Sequence, residues 1–144
     1  MARALLDVSV LVALLDAAHV HHREAWRWLE RELPHGWASC PLTQNGCVRV
    51  MSSPAYPGAR PPAEVAARLA EATADPSHAF WPADLSLLDD GALRWDRILG
   101  HRQLTDAYLL ALAVRHGGRF VTLDRRVRPE LARRAGPEHL VILA

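Results

Sequence analysis

The sequence predicts a three-layer α/β/α domain, with helices on both faces of a mostly parallel sheet of four to five strands. Two observations carry that expectation. Short apolar runs alternate with longer stretches of helical period along all 144 residues, and such alternation marks strand–helix–strand units closing into a parallel sheet. Size and make-up agree: half of the residues are apolar and 23% are charged, which suits one core built without staples. The span 1–144 therefore reads as a single domain, and no run is long or charge-free enough to span a bilayer.

The first element is the apolar triplet Ala4-Leu5-Leu6, a short buried strand that ends at Asp7. The apolar residues Val8 to Leu15 run on too far for one strand, so a turn and a helix follow. Asp7 thus stands at the carboxyl end of a strand, where ligands collect in open parallel sheets. An equally good local reading makes Asp7 or Ser9 the cap of the helix that follows. His21 to Leu33 predicts an amphipathic helix with Trp26, Leu29 and Leu33 on its buried stripe, ended by Pro34 and Gly36. On that wheel Trp28 points outward, toward a partner surface.

Trp37 to Cys40 reads as a second strand and Pro41 to Val50 as a helix ending near Ser52-Ser53-Pro54, with proline suited to its first turn and Gly46 weakening its middle. Tyr56 to Pro62 is a loop, Ala63 to Ala74 a helix and His78 to Trp81 a strand. Leu85 to Leu99 is expected to be helical up to the break at Gly100-His101-Arg102-Gln103. Leu104 to Ala113 is the next helix, with Thr105 as N-cap, Asp106 in the first turn and Gly117-Gly118 as the stop. An acid in a first turn is favoured by the helix dipole in any case. Arg119 to Leu123 is a strand ending in Asp124; a short helix from Pro129 to Arg134 and a strand from Leu140 to Leu143 close the chain.

Net charge is +1, but it is unevenly spread: residues 1–93 hold 7 Arg against 11 acids, and residues 94–144 hold 10 Arg against 5. The basic C-terminal part is compatible with a phosphate-bearing substrate. No Lys occurs, and a coding bias toward Arg explains that more simply than phosphate recognition does. Cys40 and Cys47 fit neither a zinc spacing nor a secreted disulfide framework and are expected to be free, buried thiols of a cytoplasmic protein. Met1-Ala2-Arg3 leads into no secretory pattern. His19, His21 and His22 lie near a helix start without further spaced ligands, so solvated histidines are expected rather than a metal site.

Asp7 and Asp124 at strand ends and Asp106 at a helix start can converge on one crevice of such a sheet. Clustered carboxylates repel one another unless a cation sits among them, and Mg²⁺ or Mn²⁺ with a few carboxylates and several waters is the usual solution. Such a site suits phosphodiester hydrolysis. The sequence has no P-loop, no G-x-G-x-x-G and no G-x-S-x-G. A phosphate-transfer regulator would need a Lys beside its acidic pocket, and there is none.

Four segments in this order, LLDVSVLVALLD around Asp7, PLTQNGCVRVMSSP around Gln44, GHRQLTDAYLLALA around Asp106 and FVTLDRR around Asp124, resemble the PIN-domain ribonucleases, specifically the VapC toxins of bacterial type II toxin–antitoxin systems. The likeness covers the whole chain. It implies the PIN fold and a Mg²⁺- or Mn²⁺-dependent endoribonuclease that cuts structured RNA, tRNA or rRNA. It further implies a homodimer restrained by a VapB-like antitoxin. By the resemblance, Asp7, Asp106 and Asp124 are the metal ligands, with Gln44 in the same shell where the family pattern more often has Glu. A neutral amide still offers a carbonyl oxygen but removes a charge that would hold a cation, so single or weaker metal occupancy is expected. Ser9, Thr105 and Thr122 are the supporting residues, and Arg102, Arg125 and Arg126 the RNA-backbone contacts. A catalytically idle PIN module that binds RNA or a partner is the rival expectation, with Gln44 as its argument.

Overall fold

The computed structural model describes residues 2–143. Strands β1 (Ala4–Leu6), β2 (Trp37–Ser39), β3 (His78–Phe80), β4 (Arg119–Thr122) and β5 (Leu140–Ile142) form one sheet in the order β3-β2-β1-β4-β5, every pairing parallel. Helices α1 (Val8–Leu15), α2 (His22–Glu32), α3 (Pro41–Ser52), α4 (Pro62–Thr73) and α5 (Leu104–Arg115) connect them. Ala4, Leu6 and Trp37 face a core made with α1, α2, α3 and α4, while Leu5, Ala38 and Phe120 face a second core made with α5, Trp81, Leu93 and Leu131. Both faces are covered at the centre of the sheet, so β1, β2 and β4 are buried along their whole length and do not alternate between core and solvent.

The strand order reverses beside β1. The chain steps outward through β2 and β3 with helices on one face, then returns with α5 on the other face to lay β4 against the free side of β1. The carboxyl ends of β1 and β4 therefore flank the switch point of the sheet, the place where such folds bind ligands.

Most expected elements are present within a few residues, and four expectations need correction. Leu85–Leu99 is not a helix: it is a series of turns with one 3₁₀ turn at Trp95–Arg97. Beyond a few short turns of its own, its backbone bonds a distant segment, Arg94 N–H donating to the Leu131 carbonyl at 2.9 Å and Arg133 N–H to that of Ala92 at 3.1 Å. Gly91, at φ +85°, turns the chain into that pairing. Pro129–Arg134 shortens to a 3₁₀ turn at Pro129–Leu131.

On α2 the buried residues are Ala25, Trp28 and Leu29, so Trp28 is a core residue, 7% exposed, and not a partner surface. Arg119 from the start of β4 lies over its ring at 5.4 Å. Trp26 and Leu33 are the partly exposed pair, at 40% and 38%, and the Trp26 indole N–H is used by the Leu14 carbonyl at the end of α1, 3.0 Å away. Finally, Thr105 does not cap α5. A 3₁₀ turn, His101–Gln103, leads straight into the helix, and the Gln103 side-chain oxygen Oε1 accepts from the Leu99 and Gly100 N–H groups at 2.7 and 3.2 Å. Thr105 lies exposed inside the first turn.

Candidate functional site

Asp7 follows β1 directly, and its N–H continues the ladder to the Val121 carbonyl at 2.9 Å. One carboxylate oxygen accepts from the Val8 N–H at 2.8 Å and caps α1. The other accepts from the Thr122 hydroxyl at 2.7 Å and the Ser9 hydroxyl at 3.2 Å. Cap and site were alternatives in the sequence; the fold makes Asp7 the cap and also places it at the switch point of the sheet. Thr122 and Ser9 reach onward, for the Thr122 hydroxyl accepts from the Asp124 N–H at 3.1 Å and that of Ser9 from the Leu123 N–H at 3.2 Å. The end of β4 is thus stitched to the start of α1 through Asp7, which is 8% exposed.

Burial pushes the Asp7 carboxyl up. The Thr122, Val8 and Ser9 hydrogen bonds oppose this, and the Asp124 charge adds to it. Asp124 goes the other way, held below the usual carboxylate range by Arg126, whose guanidinium makes a forked pair with it at 3.0 and 3.0 Å.

Asp106, in the first turn of α5, completes the trio. Its carboxyl is pushed up to about 7 by burial first, then by the charges of Asp7 and Asp124, with Arg126 only partly offsetting them. No hydrogen bond among the described residues reaches its carboxylate. The three acids thus feel one another across the switch-point crevice, and the crevice is short of positive charge.

That shortage, with hard oxygen donors only, is the chemistry a small divalent cation matches. Among the described residues, no three His, Cys, Asp or Glu side chains are gathered tightly enough to encircle an ion unaided. The donor set therefore fits an ion that keeps most of its coordination as water and phosphate, as Mg²⁺ commonly does.

Gln44 occupies the first turns of α3, and its side chain is bound elsewhere. Its amide nitrogen donates to the Ser39 hydroxyl at 3.0 Å, and that hydroxyl lies 2.7 Å from His78 Nε2. Gln44 also lines a cleft between α3 and α4 with Asn45, Val48, Ala66, Ala70 and Thr73. Among the described residues no hydrogen bond joins it to the three acids. Ser39 and His78 were missed in the sequence; the signal was a polar residue at the carboxyl end of a strand buried on both faces, and a His opening the strand beside it. Gly46 has its own reason: a Cβ there would fall 2.5 Å from Val8 Cγ2, so glycine lets α3 press on α1 one residue past Asp7.

Of the expected supporting residues, Ser9 and Thr122 touch Asp7 and Thr105 does not. Arg102 and Arg125 are both exposed, the first just before α5 and the second just after β4. The histidines serve structure: His22 Nδ1 meets the Ala13 carbonyl at 2.7 Å, and His19 accepts from the His21 N–H at 3.0 Å. Cys40 and Cys47 are free and buried, and burial pushes the Cys47 thiol up to about 11.

The PIN domain family model matches residues 4–134, nearly the whole chain. The chain belongs to the PIN-domain family. Within that family it is 48% identical over 141 residues to Ribonuclease VapC44 of Mycobacterium tuberculosis (strain ATCC 25618 / H37Rv), covering 98% of this chain and 99% of that one. It is 44% identical over 122 residues to Ribonuclease VapC39 of the same strain, covering 84% and 88%. The solved structure of Mycobacterium tuberculosis VapC20, a toxin that cleaves the sarcin-ricin loop, superposes with a TM-score of 0.58 over 81% of this chain and 85% of that one. At 16% identity that likeness speaks for the PIN fold. No helix among the described residues is long and apolar enough to cross a membrane.

Proposed function

We propose that this PIN-domain chain is a metal-dependent endoribonuclease, the toxin of a type II toxin–antitoxin pair, which hydrolyses phosphodiester bonds in structured RNA such as tRNA or rRNA. The observation that carries the reading is the carboxyl of Asp106, raised to about 7 by burial and by two further acids at the switch point of the sheet. Structural ion-pair networks also perturb such groups, but here the Arg126 guanidinium offsets the acids around Asp106 only in part. The VapC-type relatives are named ribonucleases and one fold neighbour cleaves the sarcin-ricin loop, which supports RNA as the substrate class.

Asp7, Asp106 and Asp124 hold Mg²⁺ or Mn²⁺ in this proposal. The ion, when bound, supplies a Lewis acid that activates water and offsets charge on the leaving oxygen. The protein's own part is to hold the acids in place. Thr122, Ser9 and the Val8 N–H fix Asp7, which leaves a lone pair for the site on the oxygen that accepts from Val8. Asp106 has no such donors, and a nearby cation would favour its ionised form. Arg102, Arg125 and Arg126 take RNA phosphates; Arg126, already beside Asp124, exchanges one anionic partner for another. The Gln44 carbonyl contributes a neutral oxygen. A VapB-like antitoxin, a homodimer and a cytoplasmic setting complete the reading.

The deciding experiment incubates the purified chain with total RNA and Mn²⁺ beside Asp7→Asn. Discrete fragments made by the unaltered chain alone are the expected result. Equal RNA binding with no fragments from either protein would favour the idle-module reading, which Gln44 in the place of Glu motivates. Gln44→Glu should tighten Mg²⁺ binding measured by calorimetry, and an unchanged affinity would remove Gln44 from the site.

A further inference from the structure

We infer that His78 and Ser39 are positioning residues that set which way the Gln44 amide faces. This rests on Gln44 serving the proposed nuclease site. Gln44 Nε2 is a donor only, so at 3.0 Å from it the Ser39 oxygen accepts. The Ser39 hydrogen must then find its own acceptor, because Ser39 is 0% exposed and an unmade bond there is costly. Among the described residues the atom in reach is His78 Nε2, at 2.7 Å. A proton on that nitrogen would oppose it, so the imidazole carries its hydrogen on Nδ1.

Backbone and ring are both held in that place. Its strand pairs residue for residue with β2, Trp37 opposite His78. The Trp37 ring lies 4.5 Å from it, and the His78 N–H donates to the Asp75 carbonyl at 3.0 Å. The hydrogen bonds therefore run one way, from Gln44 to Ser39 to His78. The amide nitrogen is committed to Ser39, and the carbonyl oxygen, at the other corner of the planar amide, makes no hydrogen bond among the described residues and stays free as an acceptor. A glutamate at position 44 would have no hydrogen to give. Ser39 would then donate to the carboxylate, accept from His78, and require the imidazole hydrogen on Nε2.

Nitrogen-resolved NMR of the His78 ring reads the direction of the chain without reference to cleavage. The expected result is the Nδ1–H form in the unaltered protein, a shift to the Nε2–H form in Gln44→Glu, and no response to Gln44→Glu when Ser39→Ala is also present. An Nε2–H ring in the unaltered protein, or a ring indifferent to Gln44→Glu, overturns the inference. In RNA cleavage, Ser39→Ala and His78→Ala should lower kcat about tenfold with KM little changed. The Ser39→Ala loss should vanish in a Gln44→Ala background, which a merely structural role would not produce. Wild-type kcat in Ser39→Ala also overturns the inference. A chain that cuts no RNA yet shows the tautomer response supports the orientation of Gln44 and sinks the nuclease reading alone.

Discussion

Asp7 and Asp106 are aspartates at the starts of two helices at the same end of one sheet, and their surroundings are opposite. Asp7 is the more buried, yet a backbone N–H and two hydroxyls satisfy its oxygens. Asp106 has burial and two negative neighbours and no donor among the described residues, and its carboxyl rises to about 7. The β1–β4 junction is thus a finished structural joint that also presents a carboxylate. The start of α5 is an unfinished one, stable as it stands only when protonated or when something positive arrives. A site that must take up and release a cation needs one part of each kind.

Asp106→Asn breaks that contrast most sharply, because its two effects have opposite signs. Cleavage should fall by at least about 100-fold, as expected when a ligand and not just its support is lost. Metal-free stability should move the other way. Folding holds a proton on Asp106 that the unfolded chain, with a carboxyl near 3.8, releases. The native state therefore binds more protons between about 4 and 7, and its stability, full below that window, is lost as pH rises through about 7. Asp106→Asn should melt higher than the unaltered protein at pH 8 without metal and flatten the slope between pH 4 and 8. Equal melting points at pH 8 would show that the crevice is not under electrostatic strain.

Thr122→Val comes next. It keeps the shape of a residue that is 0% exposed, removes the 2.7 Å bond to Asp7 and leaves the Asp124 N–H without its acceptor. Metal affinity and cleavage should each drop about 10- to 100-fold, and stability should fall by about 1–3 kcal/mol. Loss of stability with unchanged Mn²⁺ affinity would mean that the joint supports the fold alone, and Asp7 would belong to structure.

What the sequence revealed follows the same divide. β1, β4 and their terminal acids could be read because a short apolar run ending in Asp is a local pattern, and the parallel sheet follows from alternation. Asp106 could be located but not weighed, since its rise depends on two carboxylates 99 and 18 positions away in the chain. Two stripes on α2 share Leu29, one through Trp26 and one through Trp28; the choice is made by Arg119, which covers Trp28 from β4. The leucines of 85–99 suited a helix until Leu131 and Arg133 supplied the other half of the backbone pairing. Gln44 was legible by resemblance, whereas its hold on Ser39 and His78 joins three elements and has no signature within any one of them.

The smallest expected effect tests how the finished joint is kept in register. Gly46 looks like a weak point of α3 in isolation, where Ala would be better by about 1 kcal/mol. In the fold an added Cβ meets Val8 Cγ2 at 2.5 Å, and valine in a helix has little freedom at χ1 to move aside. Overpacking of this kind costs about 1–3 kcal/mol, so Gly46→Ala should be destabilising by about 1 kcal/mol net, or about 2–4 °C in melting temperature. Val8→Ala in the same chain should relieve it. Because Val8 directly follows Asp7, the displacement acts on the cap and hence on the Asp7 oxygens, and through the Asp7 charge on Asp106. Gly46→Ala should therefore weaken Mn²⁺ binding and change the slope of metal-free stability between pH 4 and 7. Weaker Mn²⁺ binding with an unchanged slope would mean that the two carboxyls do not feel one another.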